Sequence, residues 1–177
     1  MVGADQSLDK EACVAFCSYF EPDLCYDTTV TDSIAAGCVF AGFVAPGHDC
    51  DETGSDRFRD NVAHSNERVG AHIYPDPVIS KHSKCYEGSY FAAYKNQELG
   101  LSTMYSTEDM RMRNMVFIDN QSGMCLQTAG ERDEIAISLK DTKIYGEDNS
   151  DNSNTDCPEG NSCYCPEKFG LMLFGSN

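Results

Sequence analysis

The sequence predicts an all-β fold, a right-handed parallel β-helix of about five to six stacked coils, braced by disulfides. Three observations predict it. First, a phrase recurs: Asp32-Ser33-Ile34-Ala35-Ala36-Gly37-Cys38, then Asp60-Asn61-Val62-Ala63-His64-Ser65-Asn66, with later copies around Ala92–Asn96 and Val116–Asn120. Second, each copy runs on to a glycine, Gly42, Gly70, Gly100 and Gly123, at spacings of 28, 30 and 23 residues. A period in this range marks a stacked repeat, whose units bury their apolar faces only against their neighbours. Third, one equivalent position reads Cys38, Asn66, Asn96 and Asn120 in successive copies. Equivalent positions of stacked parallel strands lie about 4.8 Å apart, so like amides there can hydrogen-bond as a ladder. The glycines are expected to free the backbone where the chain turns a corner.

Along the chain, residues 1–27 form a cysteine-containing segment or a first coil. Cys13 and Cys17 would share one face of a helix, but the stretch is too short for periodicity to decide. Residues 28–147 carry the coils. The β-branched Thr29-Val30-Thr31 reads as a strand, and the polar stretches 47–58, 74–84 and 106–113 read as loops leaving the coils. After Thr128, Ile135-Ala136-Ile137-Ser138-Leu139-Lys140 alternates as a half-buried strand does, and Lys143-Ile144-Tyr145 resembles another. Residues 148–177 comprise an acidic loop and a cysteine-rich tail.

Composition narrows the function. Ten cysteines in 177 residues point to an oxidising compartment, the cell surface or the extracellular space. The N-terminus has neither the basic nor the apolar region of a signal peptide, so the chain is expected to be part of a longer one. No apolar run approaches the roughly 18 residues of a membrane span, so insertion by this segment is not expected. With 29 acidic against 13 basic side chains the net charge is −16, which repels nucleic acid and anionic membrane. An acidic glycan would need a local basic patch, for which the sequence offers Arg111, Arg113, Lys81 and Lys84.

Metal and catalytic motifs are weak. The run 148–156 has oxygen ligands enough to keep calcium as a candidate, but an EF-hand started at Asp151 finds Asp156 where glycine belongs and Ser162 where glutamate belongs. No other cofactor is implied. His48, Cys50, His82 and Cys85 lack the paired spacing of a zinc site, and disulfides explain such cysteines better. There is no Gly-x-Ser-x-Gly elbow for a nucleophilic serine. His64 and His72 flank the second phrase, with Arg68 between them and Asp76 beyond. These four residues are the candidate ligand-binding group, set against the plain reading of a polar coil edge. Asn120-Gln121-Ser122 matches a glycosylation sequon, yet an Asn120 pointing into a ladder cannot carry a glycan.

The phrases Asp32–Asp51, Asp60–Tyr74 and Met115–Cys125 resemble the β-helix region of the fibrocystin and fibrocystin-L family, a region shared with cell-surface and secreted hyaluronidases. The resemblance covers residues 28 to 150. It implies a β-helix in the ectodomain of a large surface protein, with roles in adhesion, reception or glycan binding. No catalytic residue of the hyaluronidase branch maps onto this chain by motif. Two functions are therefore expected in competition. One is a non-enzymatic extracellular module presenting loops to a glycan or protein. The other is a polysaccharide hydrolase or lyase with its site on the coil edges.

Overall fold

The computed structural model describes residues 12–15, 29–46, 58–74, 85–106, 109–128, 136–146 and 171–175. Among these there are only strands, turns and bends, and every strand pair is parallel. The strands fall into three sheets. The first holds β1 (Val14–Ala15), β4 (Ala41–Pro46), β7 (Val69–Tyr74), β10 (Leu99–Ser106), β13 (Ser122–Thr128) and β16 (Leu171–Gly175), in that spatial order. The second holds β2 (Val30–Thr31), β5 (Phe58–Arg59), β8 (Cys85–Ser89), β11 (Asp109–Arg113) and β14 (Ile137–Lys140). The third holds β3 (Ile34–Ala36), β6 (Val62–His64), β9 (Ala92–Tyr94), β12 (Val116–Ile118) and β15 (Lys143–Tyr145). From β2 onward the chain visits second, third and first sheet in unvarying order, an arrangement compatible with a parallel β-helix.

A sharp corner precedes each three-residue strand of the third sheet, and a second follows the first four. Asp32, Asp60, Tyr90, Asn114 and Asp141 precede those strands with φ between 51° and 55°. Gly37, Ser65, Lys95 and Asp119 follow them, again at positive φ. A single residue in the left-handed region redirects the chain without ending its hydrogen bonding. The corner amides keep pairing with the next layer, as in Tyr90 N–H to Arg113 O at 3.1 Å and Lys95 N–H to Ile118 O at 3.0 Å.

The repeated glycines do something else. Gly42, Gly70, Gly100 and Gly123 lie inside strands of the first sheet, and Gly37 is the one described glycine at positive φ. What they supply is space: a Cβ on Gly42 would sit 2.7 Å from the Gly70 carbonyl oxygen and 3.1 Å from Ala63 Cβ. The expected corner role thus belongs to residues of varied type, and the glycines allow close approach across the interior.

Inside, the alternating strands project Phe43, Phe58, Phe91 and Phe117 toward one another, with Phe58 and Phe91 centroids 5.4 Å apart and Phe43 and Phe58 edge-on at 5.5 Å. Ala35, Ala63 and Ala93 line the third sheet opposite the glycines. The stretch 106–113, expected as a loop, is mostly β11. Met110 and Met112 point into the core while Asp109, Arg111 and Arg113 do not, the period-two pattern of a half-buried strand. At the N-terminal end, β1 pairs with β4 and Cys13 is disulfide-bonded to Cys38, so the segment around Cys13 is extended rather than helical.

Candidate binding face

The equivalent asparagines meet in a buried ladder. Asn66 Nδ2 donates to Asn96 Oδ1 at 2.7 Å, and Asn96 Nδ2 to Asn120 Oδ1 at 2.8 Å. Each Oδ1 also accepts the backbone N–H one layer back: Cys38 to Asn66 at 3.1 Å, Asn66 to Asn96 at 3.2 Å and Asn96 to Asn120 at 3.0 Å. The ladder ends with Asn120 Nδ2 donating to Ala93 O at 2.8 Å. Asn61 does the same work at the other corner, accepting from Ser33 N and donating to Val30 O. Asn120 is 9% exposed, so the amide of the sequon is spent on the fold.

The candidate group His64, Arg68, His72 and Asp76 does not assemble among the described residues. His64 stands on the outer side of the third sheet, stacked on Tyr94 with centroids 4.7 Å apart and rings 6° from parallel. Arg68 Nε donates to both oxygens of Glu98, at 3.0 and 3.1 Å, and its guanidinium lies 5.2 Å from the Phe40 ring centroid. His72 belongs to the first sheet, 4% exposed, its Nδ1 2.7 Å from Ser102 Oγ. Burial, helped by the nearby Arg68 charge, lowers its pKa to about 4, so the ring is neutral at physiological pH. Asp76 lies outside the described residues, as do Lys81, Lys84 and the acidic run 148–156. Eight residues separate the two histidines in sequence, but a corner and a change of sheet put them on different surfaces.

A different constellation forms on the outside of the second sheet. Register aligns Thr31, Arg59, Ser89, Arg113 and Lys140 in one row across its five strands. Arg111, two residues before Arg113, stands on the same face in a row with Glu87 and Ser138. Arg59, Arg111, Arg113 and Lys140 are all exposed. Arg59 Nε lies 3.9 Å from Asp60 Oδ2 and Arg113 Nη2 lies 3.9 Å from Glu87 Oε1, separations at which a surface pair contributes little. Ser89 Oγ, buried between Arg59 and Arg113, makes no hydrogen bond among the described residues. Two strand spacings separate Arg59 from Arg113, about 9.6 Å.

Arg111 and Arg113 stand out in the sequence, whereas Arg59 and Lys140 lie in other repeats and join the face only through strand register. The signal for β11 was present in the alternation Asp109-Met110-Arg111-Met112-Arg113. Among the described residues no group of three or more His, Cys, Asp or Glu could hold a metal ion.

No protein-family model matches the chain, and neither a curated protein nor a solved structure does.

Proposed function

We propose that this chain is a non-enzymatic extracellular module, a right-handed parallel β-helix of five to six coils from a fibrocystin-like surface protein, and that it binds an acidic glycan across the second sheet. One observation carries the reading: Arg59, Arg113 and Lys140 stand in one register row with Arg111 beside them, on a chain whose net charge is −16. These four are the main grouping of basic side chains among the described residues, with Glu87 among them, and an anionic chain can follow their donors across the strands. The spacing of Arg59 and Arg113, about 9.6 Å, is close to the length of a disaccharide in an extended polysaccharide. A glycan with one carboxylate per disaccharide, lying along the stack, would present successive carboxylates to the two guanidinium groups, the fork geometry that arginine favours. Right-handed winding is favoured because parallel strands joined by crossovers adopt that hand in nearly all cases. The cysteine content and the Cys13–Cys38 disulfide support an oxidising, non-cytosolic setting.

The competing hydrolase or lyase would draw its acid, base and cation from His64, Arg68, His72 and Asp76. His64 is stacked on Tyr94, Arg68 is engaged by Glu98 and His72 is buried against Ser102. Those uses favour the binding module.

The test is a screen of the oxidised protein against linear acidic and neutral oligosaccharides, with product length read on each that binds. Binding of acidic chains at unchanged length is the expected result. Shortened product would move the assignment to the enzyme, and equal binding of neutral chains would remove the basic row from the account.

A further inference from the structure

The third sheet presents an outer face of opposite character. Each of its five strands directs one residue inward, Ala35, Ala63, Ala93, Phe117 or Ile144, and the residues on either side outward. Of the outward positions none is acidic, and only His64 and Lys143 are basic. The rest are aliphatic or aromatic, and several are open to solvent: Ile34 is 71% exposed and Tyr145 54%. A contiguous apolar face of this kind on an acidic protein marks an interaction surface.

Its two outward rows are complementary in size. Within a strand a large outward residue sits beside a smaller one: Ile34 beside Ala36, Tyr94 beside Ala92, Ile118 beside Val116. A two-fold rotation about a line along the stack, in the plane of the face, exchanges the two rows and keeps every strand at its own level. Tyr94 then covers Ala92 of a second copy, Ala36 receives Ile34, and Tyr145 lies over the Lys143 stem. Charge is consistent with the same operation. The acidic corners Asp32, Asp60 and Asp141 flank one row and Asp119 the other, and the rotation sets each against an uncharged residue of the second copy, Gly37, Ser65, Gly146 and Asn114. Two chains of net charge −16 can therefore approach here with least repulsion.

We propose that the outer face of the third sheet is a self-association surface, pairing two copies of this chain about a two-fold axis parallel to the strand stack. An isologous contact of this kind closes on itself as a dimer. The face spans about 20 Å from first strand to last and is three residues wide, less than the roughly 800 Å² per partner of a standard interface. The dimer is therefore weak and forms at high local concentration.

Sedimentation equilibrium of the oxidised protein between ~1 µM and ~1 mM, the affinity range of so small an interface, tests this at two salt concentrations. The wild type should dimerise as concentration rises, and more strongly at higher salt, because screening relieves the net-charge repulsion. Ile118→Asp should remain monomeric throughout. Ala92→Tyr is the decisive variant, since it adds apolar surface but fills the slot that receives Tyr94, so it too should be monomeric. Circular dichroism establishes that each variant is folded, and either variant alone suffices. A wild type that stays monomeric at the highest concentration overturns the proposal and leaves the face to a different protein. Stronger association of Ala92→Tyr would also overturn it, by showing unspecific adhesion in place of the fitted pairing.

Discussion

Asn66 Nδ2 donates to Asn96 Oδ1 at 2.7 Å in the buried interior, and the same oxygen accepts the Asn66 backbone N–H at 3.2 Å. One side chain thus satisfies two donors of the preceding layer. Asn96 must in turn place its own amide on Asn120, so the three residues act as a unit that fixes the vertical register of the layers. Asn96→Ala leaves both Asn66 donors buried without an acceptor, at a cost of about 3 kcal/mol. Chemical denaturation should show that loss, while Gln97→Ala at the neighbouring exposed position should stay within about 0.5 kcal/mol of wild type.

The glycine row carries a second prediction. A Cβ on Gly70 would press on the Gly100 carbonyl and come within 3.0 Å of both Ala93 Cβ and Asn96 Nδ2. Backbone cannot move aside cheaply, so Gly70→Ala should destabilise by about 3 kcal/mol. Gly37, with φ of +71° and open space around it, has only a conformational constraint. Gly37→Ala should cost about 1 kcal/mol. Equal costs in a thermal melt would mean that the glycines do not serve close approach.

Lys95 holds a left-handed corner at φ 55°, a conformation costly for a long side chain and mild for asparagine. Lys95→Asn should therefore raise stability by about 0.5 kcal/mol. A lower melting temperature would show that the Lys95 side chain contributes something beyond its backbone geometry.

His72 makes stability depend on pH. Its folded pKa of about 4 lies below the unfolded value of 6.5, so between those values the unfolded chain binds the extra proton. The stabilisation from keeping His72 neutral is complete above pH 6.5 and is lost as pH falls toward 4, by up to about 3 kcal/mol. The carboxylates titrate in the same region, so the useful quantity is the difference between wild type and His72→Gln, which keeps a hydrogen-bonding partner for Ser102. That difference should change by this amount across the window. A constant difference would mean that His72 does not titrate abnormally.

The parts of this fold legible in the sequence are those in which one chemistry repeats at one layer position. Three asparagines and four glycines are conspicuous because stacking demands the same residue each time. The corners were not legible, because Asp60, Tyr90, Lys95 and Asn114 share a backbone conformation and no side-chain chemistry. The basic row was hidden for a related reason. Arg59, Arg113 and Lys140 become neighbours only once unequal insertions between layers are aligned, which the strand register supplies. Proximity in sequence misled in the other direction at His64 and His72, which a corner sends to different sheets.

The basic row is tested most directly by titrating the oxidised protein with an acidic oligosaccharide of one carboxylate per disaccharide, at low and at moderate salt, beside the double variant Arg59→Ala/Arg113→Ala. Binding that weakens as salt rises, and that falls at least tenfold in the variant while folding is unchanged, about 1.4 kcal/mol or more, is the predicted result. Undiminished binding by the variant, or no binding by the wild type at low salt, would contradict the assignment of the second sheet as the glycan face.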